Sequence, residues 1–185
     1  MRIFKQNLIA GFIILINLLP QTLFAETLIS LDEALKNVLP AASDIEKRII
    51  ILNPQQKEKI EKDAAVTLHP EYDREFHFYS AKSNTQVVGY AAEDTVQGKW
   101  GPIHYLAGFD PQGKITNIVV LSFNERRGRP VAKHRFLSQF IAKTIKDPVH
   151  LRKDINGVTG ATISSRGITD GIRKLLYIFE EFYKM

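Results

Sequence analysis

The chain contains no cysteine among its 185 residues. Disulfides, thiolate-bound zinc, iron–sulfur clusters, covalent c-type haem and a lipidated N-terminal cysteine are therefore excluded for this chain. Its five histidines, His69, His77, His104, His134 and His150, show no metal-ligand spacing and are expected to be surface or core residues. Repeats, low-complexity tracts and nucleic-acid-binding motifs are absent, and a formal charge of +5 is mild. No apolar run reaches the roughly 20 residues that span a bilayer. The stretch 8–19 follows Arg2 and Lys5 and leads to Leu23-Phe24-Ala25, so 1–25 reads as an export signal cleaved after Ala25. Its removal takes two basic residues and no acid from the +5 of the whole chain, leaving +3.

What is present suits one folded domain with a short appendage. Hydrophobic residues make up 44% and charged residues 24%, and eleven Phe and six Tyr can fill a core. A short helical segment is expected over 26–39, with Ser30 as a cap before Leu31 and Pro40 as its stop. The β-branched run 48–52 reads as a strand, and Asn53-Pro54 opens a helix over 54–66 whose Glu58–Lys62 pair suits a solvated face. From Glu75 the period becomes two, giving strands 75–81, 86–92, 103–109 and 115–123. Ser83-Asn84 and Asp110-Pro111-Gln112-Gly113 have turn chemistry, so their flanking strands should pair antiparallel. A helix is expected over 135–145, stopped by Asp147-Pro148, and a last one over 163–183. Strands grouped together and flanked by helices imply an α+β fold with an antiparallel sheet.

The chain is organised around 156–165, Asn-Gly-Val-Thr-Gly-Ala-Thr-Ile-Ser-Ser, with two glycines and four hydroxyl side chains. Behind it Ile168, Ile172, Leu175, Leu176, Phe179 and Phe182 recur at helical spacing on one face. Gly160 thus falls in a turn and Thr162 at about the helix start. Unpaired N–H groups and the positive end of the helix dipole make such a place a ready anion site. The same pattern also fits simple capping by Thr162 or Ser164. Gly167 and Gly171 each cost about 1 kcal/mol against alanine inside a helix. Close packing on the sheet is the preferred reason for them, over room for a bound ring.

Thr159-Gly160-Ala161-Thr162 resembles the Ser/Thr-Gly-Ala-Thr signature of FMN-binding domains. These occur in the C subunit of the sodium-pumping NADH:quinone reductase and the G subunit of the Rnf complex. The resemblance implies that Thr162 carries FMN, its hydroxyl joined to the flavin's phosphate by a dedicated flavin transferase. Thr159, Gly160, Ala161, Ile163 and Ser164 would surround that attachment. Asn156 stands where the family usually has Asp, six residues before the attachment Thr, and Asp154 lies two residues earlier. Glu125-Arg126-Arg127-Gly128 resembles the family's Glu-Thr-x-Gly element, with Arg126 in the Thr position, which implies a place near the flavin for Glu125 and Gly128. Its extension through Arg129-Pro130-Val131, Arg135-Phe136 and Gln139-Phe140 looks more like the flavin domains of membrane regulators linked to respiratory reductases. Trp100-Gly101-Pro102-Ile103 resembles the family's glycine–aromatic segment, and Trp100 could stack on the flavin or plug the end of the sheet.

Three segments follow: the signal 1–25, an N-terminal helical segment 26–70 packed on the domain, and the FMN-binding domain 71–185. The resemblance implies an electron-transfer flavoprotein, more a carrier than a stand-alone enzyme, and the signal segment 1–25 makes it an exported, periplasmic one, soluble after cleavage. Its expected partners are the flavin transferase and redox proteins, either a cytochrome or a membrane quinone-linked reductase. A non-redox regulatory or binding module on the same fold, or a small flavin reductase, is the alternative. Arg126, Arg127, Arg129, Lys133, His134 and Arg135 form a basic cluster that reads as a solvated face, an anion site or a docking surface for an acidic redox partner.

Overall fold

The computed structural model describes residues 26–123 and 129–184. The proposed signal, together with Glu125, Arg126, Arg127 and Gly128, lies outside the described residues. Six strands form one antiparallel sheet in the order β1-β6-β5-β4-β3-β2. They are β1 (Glu26–Thr27), β2 (Asp44–Ile50), β3 (Phe76–Ser83), β4 (Gln86–Gln97), β5 (Pro102–Phe109) and β6 (Ile115–Phe123). The β3–β4 hairpin turns at Asn84, whose φ of +56° suits this residue type, and Gly113 at φ +77° closes the β5–β6 turn. There the Asp110 carboxylate accepts from the Gln112 and Lys114 N–H groups at 2.9 Å each.

The helices take the two faces of the sheet. Ser30 caps α1 (Leu31–Val38) by accepting from the Glu33 N–H at 3.3 Å, and its stripe packs on Tyr79, Ala81, Ala91, Leu106 and Leu121. Asn53 and Gln56 close a reciprocal capping box at the start of α2 (Pro54–Ala64). The opposite sheet face carries the main core, where Phe76, Phe78, Val96, Tyr105 and Phe109 meet the stripe of α4 (Thr162–Tyr183). That stripe is Ile168, Ile172, Leu175, Leu176 and Phe179, while Phe182, which its spacing also indicates, is only partly buried against it.

Four expectations need correction. The strand read over 48–52 runs instead over Asp44–Ile50, because the whole of it pairs with β3 from Asp44–Lys82 to Ile50–Phe76. Glu26–Thr27 is not helical but pairs with Phe123 and Ser122 at the sheet edge. β4 continues to Gln97 rather than ending at residue 92, because its charged residues Glu93 and Asp94 both find partners. The helix expected over 135–145 is only α3 (His134–Leu137) followed by a 3-10 turn at Ser138–Phe140. The chain reverses at Ala142, φ +67°, where Ala142 donates to the Ile115 carbonyl at 2.8 Å and Ile115 donates to the Lys143 carbonyl at 2.9 Å. Pairing the edge-facing backbone at the start of β6 in this way withdraws 142–143 from any helix, and propensity yields to the sheet edge.

Candidate functional site

The turn before α4 is held by a few polar groups. Asp154 accepts from the Val149 and His150 N–H groups at 3.1 and 2.8 Å and from Lys143 Nζ at 2.8 Å. Its carboxyl lies below the usual carboxylate range, since the bonds from Lys143 and the two N–H groups outweigh partial burial. Asp154 is thus committed to the turn. Gly160 adopts φ +79°, a left-handed conformation that glycine takes without strain. Ala161 is the N-cap residue of α4, and no side chain caps the helix.

The four hydroxyls divide into two kinds. Ser164 and Ser165 are fully buried; Ser165 Oγ accepts from the Val158 N–H at 3.0 Å, and Ser164 Oγ from the Lys99 N–H at 3.4 Å. Thr159 and Thr162 are exposed and make no side-chain hydrogen bond among the described residues. Neither Thr162 nor Ser164 serves as the cap that a purely structural reading of the sequence offers. The Thr162 and Ile163 N–H groups likewise have no acceptor among the described residues, so the positive end of a 22-residue helix faces solvent beside an exposed threonine.

Next to this end lies a cavity of about 650 Å³, within the size range of small-ligand sites. Lys133, Arg135, Phe136 and Gln139 line it from one segment, and Asn156, Gly157, Val158 and Thr159 from the other. Gln139 clamps the two walls together, accepting from the Asn156 N–H at 2.8 Å and donating to its carbonyl at 3.1 Å. Asn156, the residue that the resemblance sets where the family usually has Asp, is part of the cavity wall. Of the residues singled out from the sequence, Thr159 lines the cavity, and Gly160, Ala161, Thr162, Ile163 and Ser164 form the adjoining helix start. Trp100 belongs to the β4–β5 turn that reaches α4 through the Lys99–Ser164 contact; at 56% exposure it does not plug the sheet. Glu125 and Gly128 lie outside the described residues.

Gly167 and Gly171 let α4 press on the sheet. A Cβ on Gly167 would stand 2.6 Å from the Gln97 carbonyl oxygen, and one on Gly171 2.4 Å from the Tyr105 hydroxyl.

Below the helix start lies a group that sequence reasoning missed. Lys174 Nζ donates to the carboxylates of Asp73 and Asp94, and the Tyr105 hydroxyl donates to Asp94 at 2.6 Å, all buried. Burial pulls the Lys174 ammonium down, but the two carboxylates hold it above its ordinary value; burial pushes the Tyr105 phenol up, and Asp94 adds to this. Arg173 beside it donates to the carbonyls of Ala64, Ala65 and Val149, tying α2 and the pre-helix turn to α4. The available signal was Arg173-Lys174 set between the apolar stripe residues Ile172 and Leu175, where a buried charge needs a partner.

On the α1 side of the sheet, Glu93 lies 3.0 Å from His104 Nε2 and 3.3 Å from His77 Nδ1, and accepts from the Tyr79 hydroxyl. Burial opposes ionisation of Glu93, but the bonds to His104 and Tyr79 and the nearby imidazoles hold its carboxyl down at about 2. Among the described residues no group of His, Asp and Glu is arranged to hold a metal ion.

Comparison with known proteins agrees with this geometry. Residues 98–177 match the model of the FMN-binding domain. The chain is 28% identical over 161 residues to the G subunit of the Na(+)-translocating ferredoxin:NAD(+) oxidoreductase complex of Acetobacterium woodii, covering 82% of this chain and 74% of that protein. It is 30% identical over 105 residues to the G subunit of the proton-translocating ferredoxin:NAD(+) oxidoreductase complex of Clostridium ljungdahlii, covering 52% of this chain and 56% of that one. The fold resembles the crystal structure of Shewanella oneidensis NqrC, with a TM-score of 0.56, 16% identity and coverage of 83% of this chain and 95% of that one. It also resembles the C subunit of the Na(+)-translocating NADH-quinone reductase from Parabacteroides distasonis, with a TM-score of 0.52, 16% identity and coverage of 76% and 78%. With the glycine turn, the uncapped helix start and the basic cavity at the matched segment, residues 98–177 belong to the FMN-binding domain family, and the chain is similar in sequence to these G subunits and in fold to these C subunits.

Proposed function

We propose that the protein is an exported electron-transfer flavoprotein whose FMN is esterified to Thr162. The observation that carries this reading is an exposed threonine at the first position of a long helix that no side chain caps. The residues present fit the group. First-turn N–H groups can hold a phosphate, Lys133 and Arg135 add positive charge, and the cavity offers Phe136 and Val158 to an apolar ring. Ser164 and Ser165, the competing acceptors, are buried and already bonded. FMN supplies one- and two-electron chemistry of its own, so the chain has to bind, orient and retain it. A phosphoester serves retention where free FMN is scarce, outside the cytoplasm.

The relatives are subunits of redox complexes by their names, which supports partner proteins on either side of the flavin. A membrane quinone-linked donor and a cytochrome-like acceptor are the proposed neighbours, with a flavin transferase acting once during maturation. Export rests on residues 1–25, and cleavage after Ala25 would leave a soluble periplasmic carrier. No helix among the described residues is long and apolar enough to cross a membrane.

The test is production with a flavin transferase in an exporting host, followed by peptide mass spectrometry and N-terminal sequencing. Expected are a mature chain beginning at Glu26 and FMN mass on the peptide containing Thr162. Flavin on Ser164 or Thr159, or a washed protein without flavin absorbance, overturns the attachment. Reversible FMN binding alone would point to Asn156 in place of the family's Asp.

A further inference from the structure

Positive charge in this chain is not spread evenly. Residues 130–166 hold seven Lys and Arg against two Asp, a net of +5 equal to that of the whole chain. The other 148 residues hold eighteen of each sign and balance. The two acids of the segment are used internally, since Lys143 pairs with Asp154 at 2.8 Å and with Asp147 at 3.8 Å. Lys133, Arg135, Arg152, Lys153 and Arg166 are exposed and make no ion pair among the described residues. They belong to one end of the molecule. Lys133 and Arg135 form a cavity wall, and Gln139 fastens that wall to Asn156. Arg152 and Lys153 occupy the turn closed by the Leu151–Ile155 bridge, whose Leu151 packs near Gly157 of the other wall, and Arg166 lies in the second turn of α4. Two exposed apolar side chains, Trp100 at 56% and Ile163 at 52%, stand at the same helix end.

We infer that this end is the docking surface for an acidic redox protein, which the exposed cations steer onto the mouth of the proposed flavin site. The inference rests on the flavin reading for its purpose, but not for its geometry. Concentrated charge of one sign raises encounter rates with a partner of the opposite sign, and apolar side chains within a charged surround match the anatomy of protein interfaces. A bilayer of anionic lipids is the weaker fit. The cations flank a concavity, and Lys133 and Arg135 are part of its wall, so a flat surface would meet only the rim. A convex protein surface can present carboxylates to both walls.

The experiment uses the full chain, with and without flavin, and as probe a fluorescently labelled ferredoxin of net negative charge; cytochrome c of net positive charge is the control. Binding is titrated at low and at physiological ionic strength. The variant is Arg152→Glu with Lys153→Glu, whose side chains lie outside the cavity lining, with circular dichroism to check the fold. The inference expects binding of the acidic probe and not of cytochrome c, weakened by salt, and weakened by at least about tenfold in the variant. Binding unaffected by salt or by the double reversal overturns it. So does retention on vesicles of phosphatidylglycerol and phosphatidylcholine without binding to the acidic probe. If the chain takes up no flavin yet binds the probe in the expected salt- and variant-dependent way, the docking surface stands and the flavin reading alone fails.

Discussion

At its C-terminal end α4 sets Phe179 and Tyr183 among Phe78, Tyr90 and Phe109, with ring centroids 4.7–5.4 Å apart. At its N-terminal end the same helix presents Thr162 and Ile163 to solvent, without a cap, behind a glycine turn. Between the two, Gly167 and Gly171 press the helix against β4 and β5, and the Lys174 network fastens it there. One end is anchored by buried aromatic area, and the other has exposed hydroxyls and N–H groups without an acceptor among the described residues. That difference separates what stabilises the fold from what is free for chemistry: a helix held firmly at its far end can leave its near end unsatisfied and still keep it in place.

The sharpest way to stress the anchored end is Phe179→Ala. Removing a fully buried ring that stacks on Phe109 at 5.1 Å and on Tyr183 at 5.3 Å should cost about 3–5 kcal/mol in urea unfolding. Whatever fraction remains folded should still accept flavin at Thr162. Loss of flavin in proportion to the folded population keeps the two ends separable. Complete loss in a folded variant would show that the ends act as one unit.

Gly171→Ala strikes the middle. An alanine gains about 1 kcal/mol of helix propensity. Its Cβ would stand 2.4 Å from the Tyr105 hydroxyl and 2.6 Å from Asp94 Oδ2 and Val96 Cγ1, contacts no real Cβ makes. Overpacking of that kind costs about 1–3 kcal/mol, so the clash outweighs the propensity and a net loss is expected in thermal and urea unfolding. A stabilised variant would mean that α4 can shift away from the sheet freely.

How far the sequence could carry these distinctions depended on whether the deciding force was local. The alternation through 103–109 and 115–123 and the stripe from Ile168 to Phe179 are repeated apolar signals, and the strands and α4 appear where those signals lie. The Asn53-Pro54 start is a local device and is present as expected, with Gln56 completing the capping box. The segment 135–145 carried an apolar stripe just as convincing, but Ile115, far earlier in the chain, claims Ala142 and Lys143, and no local pattern announces that. β4 stopped short in the reading for the same reason. Glu93-Asp94 looks like the end of a strand until His104 on one face and Lys174 on the other are known. At the candidate site, the Thr159–Thr162 motif was legible as a family pattern, but which hydroxyls stand free was not. Burial of Ser164 and Ser165 arises from Val158 and Lys99 folding over the helix start.

At the open end, Gly160→Ala should act through the backbone alone. No atom lies within 4 Å of the Cβ it would add, yet φ is +79°. Holding alanine in that left-handed region costs about 1–2 kcal/mol, and Gly160→Asn should cost less because Asn tolerates it better. Equal destabilisation by both, in urea unfolding, would argue against a backbone cause. The contrast with Gly171, where space rather than φ forbids a side chain, separates two reasons for glycine within one segment.

The smallest stability effect belongs to the change with the largest chemical one, Thr162→Val. Both residues are β-branched and of nearly equal volume, so helix propensity and packing barely change. The cap that a threonine at a helix start would ordinarily supply, worth about 1 kcal/mol, is not at stake, because the cap residue is Ala161 and the Thr162 hydroxyl makes no hydrogen bond among the described residues. An exposed substitution of this kind should leave unfolding within about 0.5 kcal/mol of the parent. Covalent flavin should nevertheless be absent, since the hydroxyl that would bond to phosphorus is gone. The cavity walls, Lys133, Arg135 and the first-turn N–H groups stay, so the variant should still bind added FMN reversibly, read by quenching of flavin fluorescence. Covalent flavin persisting in Thr162→Val would move the attachment to another hydroxyl. A loss of stability near 1 kcal/mol would show that Thr162 caps α4 after all, and the open end would then be no less satisfied than the anchored one.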